Sequence, residues 1–512
     1  MFNVGYGSSV NFKNSHQEFP GQFRGGSHLR YLAKFFLALL AGLGMVLISG
    51  CAVGPDFHRP QVSVPAGWTG PTAKPEQPTA ATGGLKLDDW WTLFQDPILT
   101  SLIDRAVSTN LDLKLAEARI REARAARGVA AGGLGPSLAA SGAYQRSRSS
   151  TENQTGISSA DQYRAGFDAG WEIDIFGGQR RNLEAADADL LAAVETQRDV
   201  LVSLTAEVAS NYINLRAFQQ QIVITRKNLL AQRHSAKLTR QRFEGGFVSG
   251  LDVANAEAQS ATTAAQIPLL ESSAQQTIYS LSVLLGEPPA ALAAELSQTG
   301  TIPGAPPEVP AGVPSELLRR RPDIRRAEAQ IHSATARIGV AAAELFPKFT
   351  IAGSAGFQSN NFSSWFDWVN RFWSYGPSLS WRLFETGRLR AGVALQKALQ
   401  EQEVIAYRQT VLSALQEVEN ALVASTKEQA HREALAAAVT ANRKAVALAE
   451  TLYTEGQTDF LNVLQAQGAL YATEDALVQS TSAVSTNLVA LYKALGGGWQ
   501  DHPSANATTL SE

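Results

Sequence analysis

The chain repeats itself at a spacing near 210 residues, and no other feature constrains its architecture as tightly. Asp112, Ala116, Glu117, Ala118 and Ile120 recur as Asp323, Ala327, Glu328, Ala329 and Ile331, an offset of 211. Pro136 and Gly142 recur as Pro347 and Gly353 at the same offset. Trp171 recurs as Trp381, Gly246, Leu251 and Val253 as Gly456, Leu461 and Val463, and Leu285-Gly286 as Leu495-Gly496, all at 210. Register held over that distance is a tandem duplication. The 512 residues, enough for roughly three ordinary domains, are therefore better read as two copies of one design.

Each copy has the same layout. A helix-period stretch opens it, Leu111 to Ala131 and Ile324 to Glu344. Two strand-like segments follow, expected at about 137–147 and 162–176 in the first copy and about 348–358 and 373–384 in the second. In the clearest, Tyr163, Ala165, Phe167, Ala169, Trp171, Ile173 and Ile175 alternate with Arg164, Gly166, Asp168, Gly170, Glu172 and Asp174. Strict period two puts the apolar set on one face and the polar set on the other. The segments between strands, Arg146 to Gln162 and Gln358 to Arg371, are expected to be polar loops. Next comes a stretch of helix about 179–244, matched by one at about 387–455. Leu201, Val208, Leu215, Ile222 and Leu229 fall seven apart, and Val411, Leu415, Val418 and Leu422 at 4-3-4 spacing, the pattern of packed helical rods. At 1.5 Å per residue each rod is about 100 Å long, too long for a globular core to surround. Gly245-Gly246 and Gly456 mark turns, after which helices return over about 250–285 and 459–495. Residues 91–286 and 315–497 are thus the two repeats, with a Pro-rich linker at 287–314 and a tail at 498–512.

The amino terminus adds an anchor. His28, Arg30 and Lys34 precede an apolar run from Phe35 to Ile48, too short to span a bilayer comfortably and suited to a secretory signal over residues 1–50. The run ends in Leu47-Ile48-Ser49-Gly50-Cys51, and Cys51 is the only cysteine, which excludes an internal disulfide framework or an iron–sulfur cluster. Small residues before this Cys resemble a bacterial lipobox, which implies acylation of Cys51 and, with Ala52 following, sorting to the outer membrane. Residues 51–90 carry Pro55, Pro60, Pro65, Pro71, Pro75 and Pro78 and are expected to form an extended tether without a packed core.

Strands of this kind suit a membrane barrel and equally a half-buried soluble sheet. Four strands cannot close a barrel, and lipid tolerates no open edge. Either the sheet is soluble or several chains share one barrel, and three chains would supply twelve strands. The order of segments, with Gly54-Pro55-Asp56-Phe57, Trp90-Trp91, Asp112 to Ile120, Trp171 to Gly177 and the run Leu317 to Arg325, resembles the TolC-like outer-membrane factors, and within them the lipid-anchored NodT-type efflux proteins. The resemblance implies a mainly α fold with a membrane β-barrel: a homotrimer forming a 12-stranded β-barrel in outer-membrane lipid, joined to a 12-helix periplasmic α-barrel. It implies a passive exit duct for small molecules such as drugs, toxic compounds or metals, served by a periplasmic adaptor and an inner-membrane pump of the RND type, with no cofactor. The two other readings are an exit duct for type I protein secretion and a structural coiled-coil lipoprotein without a pore.

Against that resemblance, Arg164, Asp168, Glu172 and Asp174 are expected to line water inside the barrel. The helix turns are the tips where the tube narrows. Family members place acidic rings on the second return helix, but those positions hold Asn462 and Gln465, and a locking basic position holds Thr458. The expectation is a tip closed by Leu461 and Tyr453, with Asp252, Glu455 and Asp459 supplying any acidity; the alternative is that these acids only cap helices. Near-balanced charge, 44 Lys+Arg against 47 Asp+Glu, speaks against nucleic acid as a partner. The seven His lack ligand spacing, Gly132-Gly133-Leu134-Gly135 lacks the Lys of a phosphate loop, and no Gly-x-Ser-x-Gly elbow occurs, so an enzyme is not expected.

Overall fold

The structure, a computed structural model, describes residues 52–69, 87–148, 159–304 and 314–499. Cys51, the signal segment, the prolines at 71, 75 and 78 and the end of the tail lie outside the described residues. Among the described residues the order is α1 (Pro97–Thr109), α2 (Leu111–Gly132), β1 (Ser137–Arg148), β2 (Ser159–Ile173), α3 (Gly178–Glu244), α4 (Gly250–Leu284), α5 (Ala293–Leu296), α6 (Pro314–Arg320), α7 (Pro322–Ala343), β3 (Lys348–Ser359), β4 (Arg371–Ser380), α8 (Thr386–Thr454) and α9 (Phe460–Ala494). Short 3-10 turns occur at Trp90–Phe94, Phe362–Ser364 and Trp368–Asn370.

The long rods are α3 and α8, of 67 and 69 residues. α3 packs on α2 and α4 along one side and on α7 and α9 along the other, and α8 packs on α7 and α9. The helices therefore form a wall in the order α2/α4, α3, α7/α9, α8. The antiparallel sheet above has the order β1-β2-β3-β4, each strand continuing one helix of the wall. The heptad positions Leu201, Val208, Leu215, Val411 and Val418 are buried, as the rod packing requires.

The short helices are stacked by interlocking ends. At the junction of α4 with α2, Asn110 Nδ2 donates to Leu284 O at 2.8 Å and the Thr109 hydroxyl donates to Leu285 O at 2.6 Å. Gly286 turns there with φ 70°, and a Cβ on it would lie 2.9 Å from Thr109 O. The duplicate junction, of α9 with α7, uses Gly496 (φ 71°) and Arg321, whose Nη1 donates to Ala494 O at 2.9 Å. Around this level sits the largest apolar core, built from Leu87, Trp90, Trp91, Leu99, Leu102 and Ile103 with Leu281, Leu285, Val489 and Tyr492.

Three expectations need correction. The segment 52–69 is extended but does not hang free. Val53 N donates to Phe176 O at 3.0 Å, Val62 and Val64 pack on the Ile324–Tyr407 cluster, and Trp68 packs on the main core. Its prolines block helix and strand, yet its apolar residues still find a groove. Gly498 and Trp499 are not tail either. The Trp499 ring lies within cation–π distance of the guanidiniums of Arg198 (4.6 Å) and Arg325 (5.4 Å). Finally, the connection between β3 and β4 is not a polar loop, because Phe362, Trp365, Phe366 and Trp368 fill it.

Candidate functional site

The strand register decides which side chains share a face. Tyr144 opposes Tyr163, Ala140 opposes Phe167, Trp171 opposes Ile351, Ala355 opposes Trp373 and Phe349 opposes Leu379. Every one of these lies on the same side. The opposite side carries Asp168 against Ser354 and Ser354 against Ser374, then Glu172 against Thr350 and Thr350 against Ser378, then Arg164 against Gln358. Phe372 interrupts this polar side and lies under the Arg164 guanidinium at 4.7 Å. Arg164, Asp168 and Glu172 therefore share one face, where the Ser141 hydroxyl donates to Asp168 Oδ2 at 2.8 Å. On the apolar side Phe167 is 59 % and Trp171 41 % exposed. Burying one such aromatic side chain is worth about 1.5–3 kcal/mol, so an apolar face this extensive is built for a medium other than water.

Asp174 is the exception among the four polar strand candidates. β2 ends at Ile173, and Asp174 Oδ2 accepts the Arg180 backbone N–H at 2.9 Å and Arg180 Nε at 3.3 Å. It is a clamp on the first turn of α3 and lines no face of the sheet. The alternation in sequence ran past the strand because a helix-start carboxylate falls in the same phase. At the same level the duplicate tryptophans act as a pair. Trp171 Nε1 donates to Leu134 O at 2.9 Å and Trp381 Nε1 to Leu345 O at 3.1 Å. The Trp171 ring stays on the apolar side, and both N–H groups satisfy carbonyls beyond helix ends, the placement expected at an apolar–aqueous boundary.

The tips lie at the far end of the rods. Tyr453 is buried there, packed with Ala256, Phe460 and Val463. Its hydroxyl donates to Thr239 Oγ1 at 3.2 Å, so Tyr453 joins the two hairpins within one chain and is not free to close a bore. Arg242, to which the sequence assigns no role, stacks over the Tyr453 ring at 4.6 Å and donates to the Tyr453 and Thr454 carbonyls. No sequence signal links Arg242 to a residue 211 positions away. Asp252 completes a capping box: its Oδ2 accepts the Ser249 N–H at 3.1 Å and the Ser249 hydroxyl at 2.9 Å. Glu455 accepts from Gln457 Nε2 at 2.9 Å, and Asn462 Nδ2 donates to Thr458 Oγ1 at 2.7 Å. Asp459 is the N-cap residue of α9 but makes no side-chain cap bond. Asp459, Leu461, Asn462 and Gln465 are all exposed.

The amino-terminal segment is held by charge as well as packing. Arg181 Nη2 meets Asp56 Oδ1 at 2.6 Å and Arg181 Nη1 meets Glu184 Oε2 at 2.7 Å. The Phe57 ring stacks on His332 at 4.5 Å, whose Nε2 hydrogen-bonds Glu184 Oε1 at 2.9 Å. The hydrogen bond and charge of Arg181 hold Asp56 below the usual carboxylate range. Burial pushes Glu184 up, but Arg181 and His332 outweigh it and leave it below its ordinary value. Lower on α3, burial pushes Glu195 above its ordinary value despite Arg198 and Arg325.

Comparison with known proteins agrees with this geometry. The family model described as outer membrane efflux protein matches residues 102–287 and again 313–497, once for each repeat. Nodulation protein T of Rhizobium leguminosarum bv. trifolii is 31 % identical over 479 residues, covering 93 % of this chain and 99 % of that protein. Pyoverdine export outer membrane protein OpmQ of Pseudomonas aeruginosa is 35 % identical over 422 residues, covering 80 % and 87 %. Among solved structures, the outer-membrane channel OprN superposes with a TM-score of 0.80 at 36 % identity, covering 88 % of this chain and all of that one. The open state of the MtrE outer membrane channel of Neisseria gonorrhoeae gives 0.75 at 28 % identity, covering 88 % and 99 %. A duplicated chain with a one-sided sheet above a wall of long helices, matched at both repeats, belongs to the outer membrane efflux protein family: it has the TolC-like fold and is an outer-membrane efflux channel component.

Proposed function

We propose that three copies of this chain close into one duct. The observation that carries this is the pair of free edges on a single wall. Among the described residues β1 and β4 have no outer partner, and below them α2 and α8 expose Leu111, Leu115 and Val129 and Leu395, Leu399, Ile405 and Leu412. An open strand edge beside an apolar face is not tolerated in lipid, and pairing β4 of one copy with β1 of the next removes it. Twelve strands and a twelve-helix tube follow, with Arg164, Asp168 and Glu172 toward water and Phe167 and Trp171 toward lipid. The duct is passive; energy comes from an inner-membrane pump of the RND type through a periplasmic adaptor. The pyoverdine export for which OpmQ is named supports a small molecule as cargo rather than a secreted protein.

Acylation of Cys51 fits the same picture. Ala52, the residue after it, packs against Gly177, where a Cβ would lie 2.7 Å from Ala52 Cα. The test is single-channel recording of the purified protein in planar bilayers, with cysteines placed in turn at Phe167 and Asp168. Discrete conductance steps are expected, with the Asp168→Cys thiol open to water-soluble reagents and the Phe167→Cys thiol only to lipid-confined ones. Absence of steps, or the reverse labelling, would sink the reading.

A further inference from the structure

Resting on that orientation of the sheet, we propose that the connection between β3 and β4 is a docking surface for a phosphorylated glycolipid of the outer leaflet. Within eight residues it presents Phe362, Phe366, Trp368 and Val369 at 70 %, 65 %, 73 % and 83 % exposure. Internal bonds fix its shape. Asn370 Nδ2 donates to Ser364 O at 2.6 Å, Asn361 N to Ser359 Oγ at 3.1 Å, and Trp365 Nε1 to Phe357 O at 3.3 Å. The aromatic rings are thus held outward by a built turn.

The side of the wall they occupy is settled by Tyr163. Phe362 and Trp365 pack on its ring at 5.5 and 5.7 Å, and Tyr163 is in phase with Phe167 and Trp171 on the apolar face. The connection therefore folds over the outside of the sheet and not across the polar side. It is continuous with the membrane face, at the end farthest from the helices, which places it in the outer leaflet.

Charge selects the lipid. Arg371 opens β4, donates from Nη1 to Trp368 O at 2.8 Å and lies over the Trp368 ring at 4.5 Å. No acidic group among the described residues pairs with it, although Asp367 lies within the same turn. Its remaining N–H donors are a fork suited to a phosphate monoester, and the rings beside it offer an apolar bed for acyl chains. A zwitterionic phospholipid would satisfy the rings, but its phosphodiester carries a single charge offset by its own ammonium and matches the Arg371 fork less well than a phosphate monoester.

Native mass spectrometry of the full-length protein in detergent, titrated with bis-phosphorylated lipid A, dephosphorylated lipid A or phosphatidylethanolamine, tests this. Phe366→Ala with Trp368→Ala is expected to weaken retention of both lipid A forms by more than about ten-fold. Arg371→Ala should weaken the phosphorylated form by about five-fold and leave the dephosphorylated form unchanged. Leu251→Ala, at the opposite end of the molecule, should change neither. Unaltered retention in the double variant overturns the proposal, as does equal loss of both forms in Arg371→Ala or equal binding of phosphatidylethanolamine by the parent. Conductance of the same variants in phospholipid bilayers reports separately on the duct, so a lipid-binding failure and a failure of the channel reading are distinguishable.

Discussion

Arg321 follows two other arginines and does what neither of them does. Arg319 is exposed and, among the described residues, Arg320 reaches Glu316 at 3.9 Å. The Arg321 side chain is 10 % exposed, forks onto both oxygens of Asp323 (3.0 and 2.7 Å), and reaches Glu417 Oε2 at 2.7 Å and Ala494 O at 2.9 Å. One side chain thus ties the start of α7 to α8 and to the end of α9. Burial opposes its charge, but Asp323 and Glu417 outweigh it and hold it protonated, above its ordinary value. Removing one partner of a buried pair leaves the others uncompensated, so Arg321→Ala is expected to cost about 3 kcal/mol. Arg321→Lys should recover little, since one ammonium cannot fork onto Asp323 and still reach Ala494 O. Urea unfolding followed by helical circular dichroism checks both, and a midpoint equal to that of the parent would refute the role. At this scale the sequence was informative about residue type and silent about geometry. Asp252 reads equally as a gate acid and as a cap, and only its two bonds to Ser249 separate the readings.

Among elements, the amino-terminal segment departs furthest from its sequence signal. Proline spacing reports backbone restriction, and it does so correctly; it says nothing about whether Val62, Val64 and Trp68 meet a groove. The period-two and heptad patterns were legible because they repeat along one element, whereas this docking depends on residues more than a hundred positions away. Its charge contacts give a pH prediction. Asp56 and Glu184 both have folded pKa values below their ordinary 3.8 and 4.5. Their contribution is fully present above those ordinary values and is lost as pH falls through the depressed folded ones. Docking should hold down to about pH 4.5 and loosen below it. Glu195 and Asp199 are shifted upward by burial and so carry the opposite sign, which makes a global melt a mixed signal. The clean readout is hydrogen exchange at the Val53 amide, bonded to Phe176 O. Protection there that stays constant to pH 3 would count against the ion pairs as its cause.

For the whole molecule, the question is what holds the two hairpins of each chain together at the tip. Asn462 and Gln465 are neutral and exposed, so repulsion between carboxylates at those positions cannot set the aperture. What the tip has instead is a bond between hairpins. Arg242, near the end of α3, donates to the last carbonyls of α8 and covers Tyr453. These carbonyls end a helix, where a cation is favourable by about 0.3–1 kcal/mol. The α3–α4 and α8–α9 hairpins are therefore coupled within each chain, and any opening must carry them together or break this contact. Arg242→Ala should weaken this coupling, while the Tyr453–Thr239 bond and the apolar cluster of Ala256, Phe460 and Val463 still hold the fold. The expected result is a higher conductance or more frequent opening in planar bilayers, with the helical melting curve nearly unchanged. Asp252→Ala should do the reverse, loosening the start of α4 by about 1 kcal/mol through loss of the two bonds it accepts from Ser249 without altering conductance. If Arg242→Ala leaves conductance and opening frequency at the parent level, the tip is not held by this contact, and the exposed Leu461 becomes the next residue to substitute.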